Sequence, residues 1–341
     1  MSQPFVSDGR AQSIARFFYH YTNQPAKTMT PLAGDASTRR YWRVHDQDIS
    51  YIVMDDQAHP ETAQRFAQLA SDFAERGAPV PKVYAQDSAQ GLLLLEDFGD
   101  DWIAHALNSE PENTMPRLLA LLHDWQSQQQ DLCPQLPAYN EALLVKELTL
   151  FDTWFVPFIF DTPLDAAQHK QLSEEYQALA QAIARHDSVC VHRDFHCRNI
   201  MNRGDNQLGL LDFQDAVTGS VCYDLISLTR DCYIRYPQAD VQAWESAFRT
   251  HAPTTMDEEA WRMACEQTAL QRHVKVLGIF VRLAVRDGKQ GYLKDLERVL
   301  DYACAEVAFF QADHPVLASL LNEAQQRLPE RLRVAEDAAA S

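Results

Sequence analysis

Residues 189–228 read VCVHRDFHCRNIMNRGDNQLGLLDFQDAVTGSVCYDLISL, and the reading of the whole chain starts from the way this stretch is punctuated. An apolar strand, Val189 to Val191, runs into a polar turn. A strand pair follows, Ile200–Met201 and Leu208 to Leu211, closed by the loop NRGDNQ. Asp194, Asn199 and Asp212 stand at the ends of these pieces, separated by five and then thirteen positions. A hairpin brings its own ends together, because each lies just outside a paired strand. Asn199 and Asp212 therefore meet, and Asp194 sits on the loop that feeds the first strand.

Three convergent oxygen donors of this kind suit Mg²⁺, which takes one or two protein ligands and completes its shell with phosphate and water. A carboxylate beside such an ion can accept a proton from a hydroxyl, which completes the set of groups that phosphoryl transfer needs. The order His-Arg-Asp, four residues, Asn, and later Asp-Phe is the kinase catalytic pattern. Two matched elements at the right separation, in a strand–loop–strand context, make it specific. Asp194 is read as the base, and Asn199 and Asp212 as ligands of Mg²⁺.

The chain has 341 residues, which points to two lobes. Its hydrophobic content, 46%, supports a folded interior. A net charge of −18 argues against a nucleic-acid partner, which would call for a basic patch. The seven cysteines are scattered, odd in number and without a C-x-x-C, as expected of reduced thiols in a cytoplasmic protein. MSQPFVSDGR lacks the features of a signal peptide, and no apolar run is long enough to span a membrane.

Before the catalytic stretch, periodicity predicts a helix over 11–21, strands over 29–32, 40–44 and 51–54, and a helix over 60–76 ended by Gly77. The turn AGDASTR, with Ser37 and Thr38, carries backbone N–H groups able to cap phosphates. GLLLLE (91–96) reads as a buried strand running into DFGDDW. In a kinase-like chain that junction is an interlobe hinge over 96–99, with the backbone of Glu96 and Phe98 toward an adenine edge. Helices are expected over 102–107, 115–130, 141–155 and 165–186, and nearly everywhere after the catalytic stretch, up to 315–328. Segregated strands and helices mean an α+β fold. Residues 1–97 form an N-terminal nucleotide-binding lobe, 98–330 a C-terminal catalytic and acceptor-binding lobe, and 331–341 a frayed tail.

On these motifs the chain resembles the protein-kinase-like superfamily, in its aminoglycoside-phosphotransferase and choline-kinase branch. His196 two residues after Asp194, DFQDA in place of Asp-Phe-Gly, and the early YDL element at Tyr223 to Leu225 carry that likeness. Within the branch, PLAGDASTRRYWRV, LLLLEDFGDD, VHRDFHCRNIM and LQRHVKVLGIFVRLAVRDGKQGYL resemble the bacterial anomeric kinases of cell-wall amino sugars. The resemblance implies a bilobal kinase-like fold, and ATP and Mg²⁺ as cofactors. It also implies phosphorylation of N-acetylmuramate and N-acetylglucosamine at the C1 hydroxyl, feeding a UDP-sugar salvage route that recycles peptidoglycan.

That reading needs contacts to an amino-sugar acceptor. A muramate carboxylate calls for a cation, and Arg230, Arg272 and Lys275 are the candidates, with His196 and Asp215 as further acceptor contacts. The N-terminal lobe departs from the kinase pattern. Met54 stands where a phosphate-pairing Lys is expected, which leaves Arg43 on the second strand, or Arg39 and Arg40 at its start, to meet the phosphates. Two alternatives stay open. One is a different small-molecule kinase, for an aminoglycoside or choline. The other is a non-enzymatic nucleotide-binding module, for which Met54 is the support.

Overall fold

The computed structural model describes residues 9–32, 39–47, 49–204 and 206–340. In chain order the elements are α1 (Gly9–Thr22), β1 (Thr28–Leu32), β2 (Arg40–His45), β3 (Ser50–Asp55), α2 (Pro60–Glu75), β4 (Val83–Asp87), β5 (Leu92–Glu96), α3 (Ile103–Ser109) and α4 (Pro111–Gln128). There follow α5 (Glu141–Leu150), a π turn (Phe151–Phe155), α6 (Val156–Phe160), α7 (Ala166–Ile183), β6 (Ser188–Val191), β7 (Ile200–Asn202), β8 (Leu208–Leu210) and β9 (Val217–Ser220). The chain ends in α8 (Tyr223–Thr229), α9 (Gln238–Arg249), α10 (Glu258–Val285), α11 (Leu296–Val307) and α12 (Pro315–Ala340). Two compact units result, one of residues 1–105 with 198–215 and one of 106–197 with 216–341.

The first unit is an antiparallel sheet of order β1-β2-β3-β5-β4. Its β5 carries four leucines in a row because it is an interior strand, covered on both faces. On one face Ile14, Phe17 and Phe18 of α1 pack with Val44, Val53, Ala85, Leu92 and Leu94. The spacing of those three α1 residues is what makes the helix amphipathic. Burial of each large side chain contributes roughly 1.5–3 kcal/mol. Helix α2 starts on Pro60, whose missing N–H costs nothing there, and buries Phe66, Leu69, Ala70 and Phe73.

The β7–β8 hairpin belongs to this unit. Leu210 N–H donates to Pro79 O (2.8 Å), Asn202 N–H donates to Asp101 O (2.7 Å), and Phe213 seats its ring 4.7 Å from that of Phe66.

The second unit is helical around α10, 28 residues long and buried on nearly every side. A helix buried all round is expected to be apolar, yet α10 encloses Gln271, Arg272, His273 and Lys275. Such groups stay inside a protein only when they are paired. A short antiparallel ribbon of β6 and β9 carries the start of the catalytic stretch. The sequence reading missed β9, because VTGS contains too few apolar residues to signal a strand. Trp125 and Gln126 of α4 tie to the ribbon and its exit, donating to Cys190 O (3.1 Å) and Val221 O (3.0 Å).

Two helical expectations change. The helix expected over 141–155 is regular only to Leu150 and then loosens into the π turn. Helix α10 passes so close there that a Cβ on Gly278 would lie 2.2 Å from Leu150 O and 2.7 Å from Phe151 N. The last helix continues to Ala340, past the tail expected from 331.

Gly278→Ala must displace backbone on one side of this crossing. We expect a loss of stability of roughly 1–3 kcal/mol or more, measured as the denaturant midpoint of unfolding. An unchanged midpoint would mean that the two helices can separate without cost.

Candidate active site

The turn bearing Asp194 lies in the second unit and is held by its backbone. Asp224, fully buried, accepts from the N–H groups of His192 (2.6 Å) and Arg193 (3.0 Å). It sits inside the first turn of α8, whose N-cap is Cys222. Burial pushes the Asp224 carboxyl up to about 7, against the pull of those two N–H donors, and repulsion from Asp194 adds to the rise. Asp231 accepts from the N–H groups of Cys197 (3.0 Å) and Tyr233 (2.7 Å), fixing the far end of the turn. Arg193 takes φ = 77°, a left-handed conformation costly for a side chain of that size.

Asp194 itself is half-buried. Burial alone would raise its carboxyl, but the charges of His196, Lys275, His192 and Arg193 outweigh that and hold it below its ordinary range. His196 follows on the same turn, its N–H donating to Asp194 O (3.0 Å) and its ring set edge-on to Tyr233 at 5.4 Å.

The first unit carries the other half of the motif. In the β7–β8 register Ile200 faces Leu210, and Leu211 N–H donates to Asn199 O (2.9 Å), so Asn199 and Asp212 sit at the same open end of the hairpin. Asp212 takes φ = 64°, and Gln214 donates to its Oδ1 at 2.6 Å. The neighbouring Phe213 ring, locked between Phe66 and Phe73, fixes the direction in which Asp212 leaves the strand. An amide oxygen and a carboxylate side by side form a hard-oxygen donor set, which fits Mg²⁺. Arg39 lies within electrostatic reach of Asp215 and Asp56, and Tyr41 lies close to both Arg39 and Asp212. Burial raises the Tyr41 phenol, Arg39 opposes the rise and the Asp212 charge adds to it.

Several expected site residues have other partners. Arg43 donates to Asp97 (2.6 and 3.0 Å), Asp100 (2.9 and 2.7 Å) and Gly99 O (2.9 Å), so it pins the DFGD segment and its donors are not offered to phosphate. Arg40 pairs with Asp55. The Glu96 N–H donates to Lys82 O (2.9 Å) and its carboxylate meets Arg203. The Phe98 ring lies under the Arg203 guanidinium (4.2 Å) and against Gly209, where a Cβ would come within 2.5 Å of it. These contacts join the segment after β5 to the hairpin. Ser37 and Thr38 lie outside the described residues.

The acceptor cations are also committed. Arg230 spends its guanidinium on Glu245, Glu266 and Glu306, with distances from 2.8 to 3.3 Å. Arg272, 4% exposed, donates to Ser227 Oγ (2.7 Å) and Cys232 Sγ (3.1 Å). Lys275 meets Tyr223 OH (2.7 Å) and Glu147 (3.3 Å). All three are internal struts, Arg230 and Lys275 matched by carboxylates and Arg272 hydrogen-bonded to a hydroxyl and a thiol. Asp215 is exposed in the turn after Gln214. Glu147 and Tyr41 were missed. Glu147 gave a signal, an acid on the inner stripe of LLVKELTLF, but nothing local named its partners.

A His-Arg-Asp turn and an Asn–Asp hairpin on an α+β scaffold are the arrangement expected of a phosphotransferase. Residues 28–261 match the phosphotransferase enzyme family, and the chain belongs to that family. It is similar to the N-acetylmuramate/N-acetylglucosamine kinase of Pseudomonas putida, 34% identical over 82% of this chain and 83% of that one. The protein of the same name in Pseudomonas aeruginosa is 35% identical, over 83% and 85%. Among solved structures, the gentamicin complex of APH(2")-IIa superposes with a TM-score of 0.60 at 13% identity, covering 87% of this chain and 97% of that one. The choline kinase of Streptococcus pneumoniae gives 0.57 at 12%, covering 87% and 100%. These structures share the kinase-like fold. Among the described residues no helix is long and apolar enough to cross a membrane.

The Arg230 cluster makes stability depend on pH. Burial would lower the His273 imidazole, but Glu306, 2.8 Å away, outweighs it and raises it to about 9 from 6.5. A raised value means that the charged ring stabilises the fold fully below pH 6.5, and that this contribution is lost as pH rises through 9. His273→Gln should therefore melt below the native protein by a gap widest at pH 6 and narrower by about pH 9.5, read by thermal denaturation. A gap independent of pH would contradict the raised imidazole.

Proposed function

We propose that this chain transfers the γ-phosphoryl group of ATP to the C1 hydroxyl of N-acetylmuramate and N-acetylglucosamine, as a step of peptidoglycan recycling. The observation that carries the reading is the Asp194 turn and Asn199–Asp212 hairpin in a chain whose relatives of that name match it over more than four-fifths of its length.

Asp194 orients the acceptor hydroxyl and takes its proton as the sugar oxygen bonds to phosphorus, while the bond from phosphorus to the ADP oxygen breaks. A carboxylate held below its ordinary range is a weak base. It suits the hemiacetal C1 hydroxyl, the most acidic hydroxyl of a reducing sugar, and a reaction in which the proton leaves late. Asn199 and Asp212 are the residues that would hold Mg²⁺, which when bound offsets the phosphate charge. Arg39, which donates to Asp56 at 3.3 Å and lies near Asp215, is the remaining candidate to serve the phosphates in the absence of a lysine at Met54. His196 remains the acceptor contact supported by its place two residues from the base.

The reading is tested by incubation with ATP and each amino sugar, followed by phosphorus NMR and mild acid. An acid-labile sugar phosphate is expected, and an acid-stable one would exclude C1. Asp194→Asn should lower kcat by about 10²–10⁴-fold with ATP affinity changed little. Native turnover in that variant would remove Asp194 from the mechanism.

A further inference from the structure

The catalytic turn is strained at Arg193, and strain persists only where the surroundings over-determine it. Its backbone is held by Asp224, which accepts from the Arg193 N–H and from that of His192 before it. Its side chain is held by a group that no kinase motif in the sequence marks. Arg193 Nη2 lies 2.5 Å from Glu147 Oε1, on α5, and its guanidinium stands 5.5 Å from the centre of the Tyr139 ring.

Glu147 is 8% exposed. Its second oxygen accepts from the Tyr139 hydroxyl and lies 3.3 Å from Lys275 Nζ. Lys275 in turn donates to Tyr223 OH at 2.7 Å, on the helix that carries Asp224. Three elements distant in sequence, α5, α8 and α10, are thus linked through Glu147 to one arginine of the turn.

The charges do not cancel inside this group. Arg193 and Lys275 bring two positive charges and Glu147 one negative. Both cations act on Asp194, whose carboxylate supplies the missing charge. Removing Glu147 would leave two cations competing for Asp194, and would release the Arg193 side chain that helps to fix a residue held at φ = 77°.

We propose that Glu147 is a positioning residue, which acts through Arg193 to hold the 192–197 turn, and with it Asp194, in the conformation for phosphoryl transfer. The proposal rests on Asp194 as the base. Lys275 and Tyr139 serve by orienting the Glu147 carboxylate. The cluster stands in for an activation segment, because a permanent internal carboxylate grips the arginine of the His-Arg-Asp turn and no modification is needed to order it.

The test is a double-mutant cycle with Glu147→Gln, Arg193→Met and the pair together, read as kcat and KM for ATP and amino sugar and, in parallel, as slow ATP hydrolysis to water. Glu147→Gln should lower kcat about 30- to 100-fold, with both KM values within threefold of native. The pair should be no slower than Arg193→Met alone, because each removes the same grip. Amide exchange in peptides covering 190–197 should quicken in all three.

If Glu147→Gln unfolds, the pair, which removes both charges, keeps the exchange measurement available. Multiplying kcat losses, or native exchange in the turn of either variant, would overturn the proposal. A native protein that hydrolyses ATP but leaves amino sugars untouched would refute the acceptor reading alone, because the cycle is then read in hydrolysis.

Discussion

The pair of hydrogen bonds from the backbone of His192 and Arg193 to the Asp224 carboxylate is the constraint on which the turn bearing Asp194 depends. A fully buried carboxylate is costly unless its oxygens are satisfied, and here the donors are the two N–H groups that a strained turn would otherwise leave exposed to an apolar interior. The exchange works both ways. Asp224 is made tolerable by the turn, and the turn is kept in shape by α8. Around it the polar side chains of α10, which look out of place in so buried a helix, fall into two groups, apart from Arg272, which donates to Ser227 Oγ and Cys232 Sγ. Lys275 is part of the Glu147 group beside Asp194. His273 joins Glu306 and Arg230 in an ion cluster that fastens α8, α9, α10 and α11 together.

The first unit solves a different problem with similar means. Its hairpin is only three residues long on each side and could not stand alone. It is held by Pro79 O, by Asp101 and by the Phe213 ring on α2, and Arg203 clamps it to Glu96 and Phe98. Asn199 and Asp212 therefore leave a rigid base, so a metal bound there would meet oxygens already in place. Arg43, gathering Asp97, Asp100 and Gly99 O, gives the segment after β5 the same rigidity.

Local pattern in the sequence was enough to find the hairpin, the stripe of α1, the buried β5 and the α+β class, because each depends on neighbours a few positions apart. The partners of charged residues were not legible in this way. Arg43 meets carboxylates 54 and 57 positions away, Arg230 meets Glu306 76 positions away, and Arg193 meets Glu147 46 positions away. No period links them, so Arg43, Arg230 and Arg272 read as available cations when they are struts. The break between α5 and α6 was hidden for another reason. FDTWF stays apolar and helical in pattern, and what loosens it is the approach of Gly278 from more than a hundred positions away. The acceptor expectation came from the family resemblance, because the residues around Asp194 by themselves do not name one.

The central claim is that the oxygen on C1 of the sugar attacks phosphorus. The direct measurement is phosphorus NMR of the product formed from ATP and N-acetylglucosamine labelled with oxygen-18 at C1. The account predicts a sugar phosphate whose resonance carries the isotope shift of a bridging oxygen-18, since the C1–O bond stays intact. A phosphate ester without that shift would place the phosphoryl group on another hydroxyl and contradict the assignment.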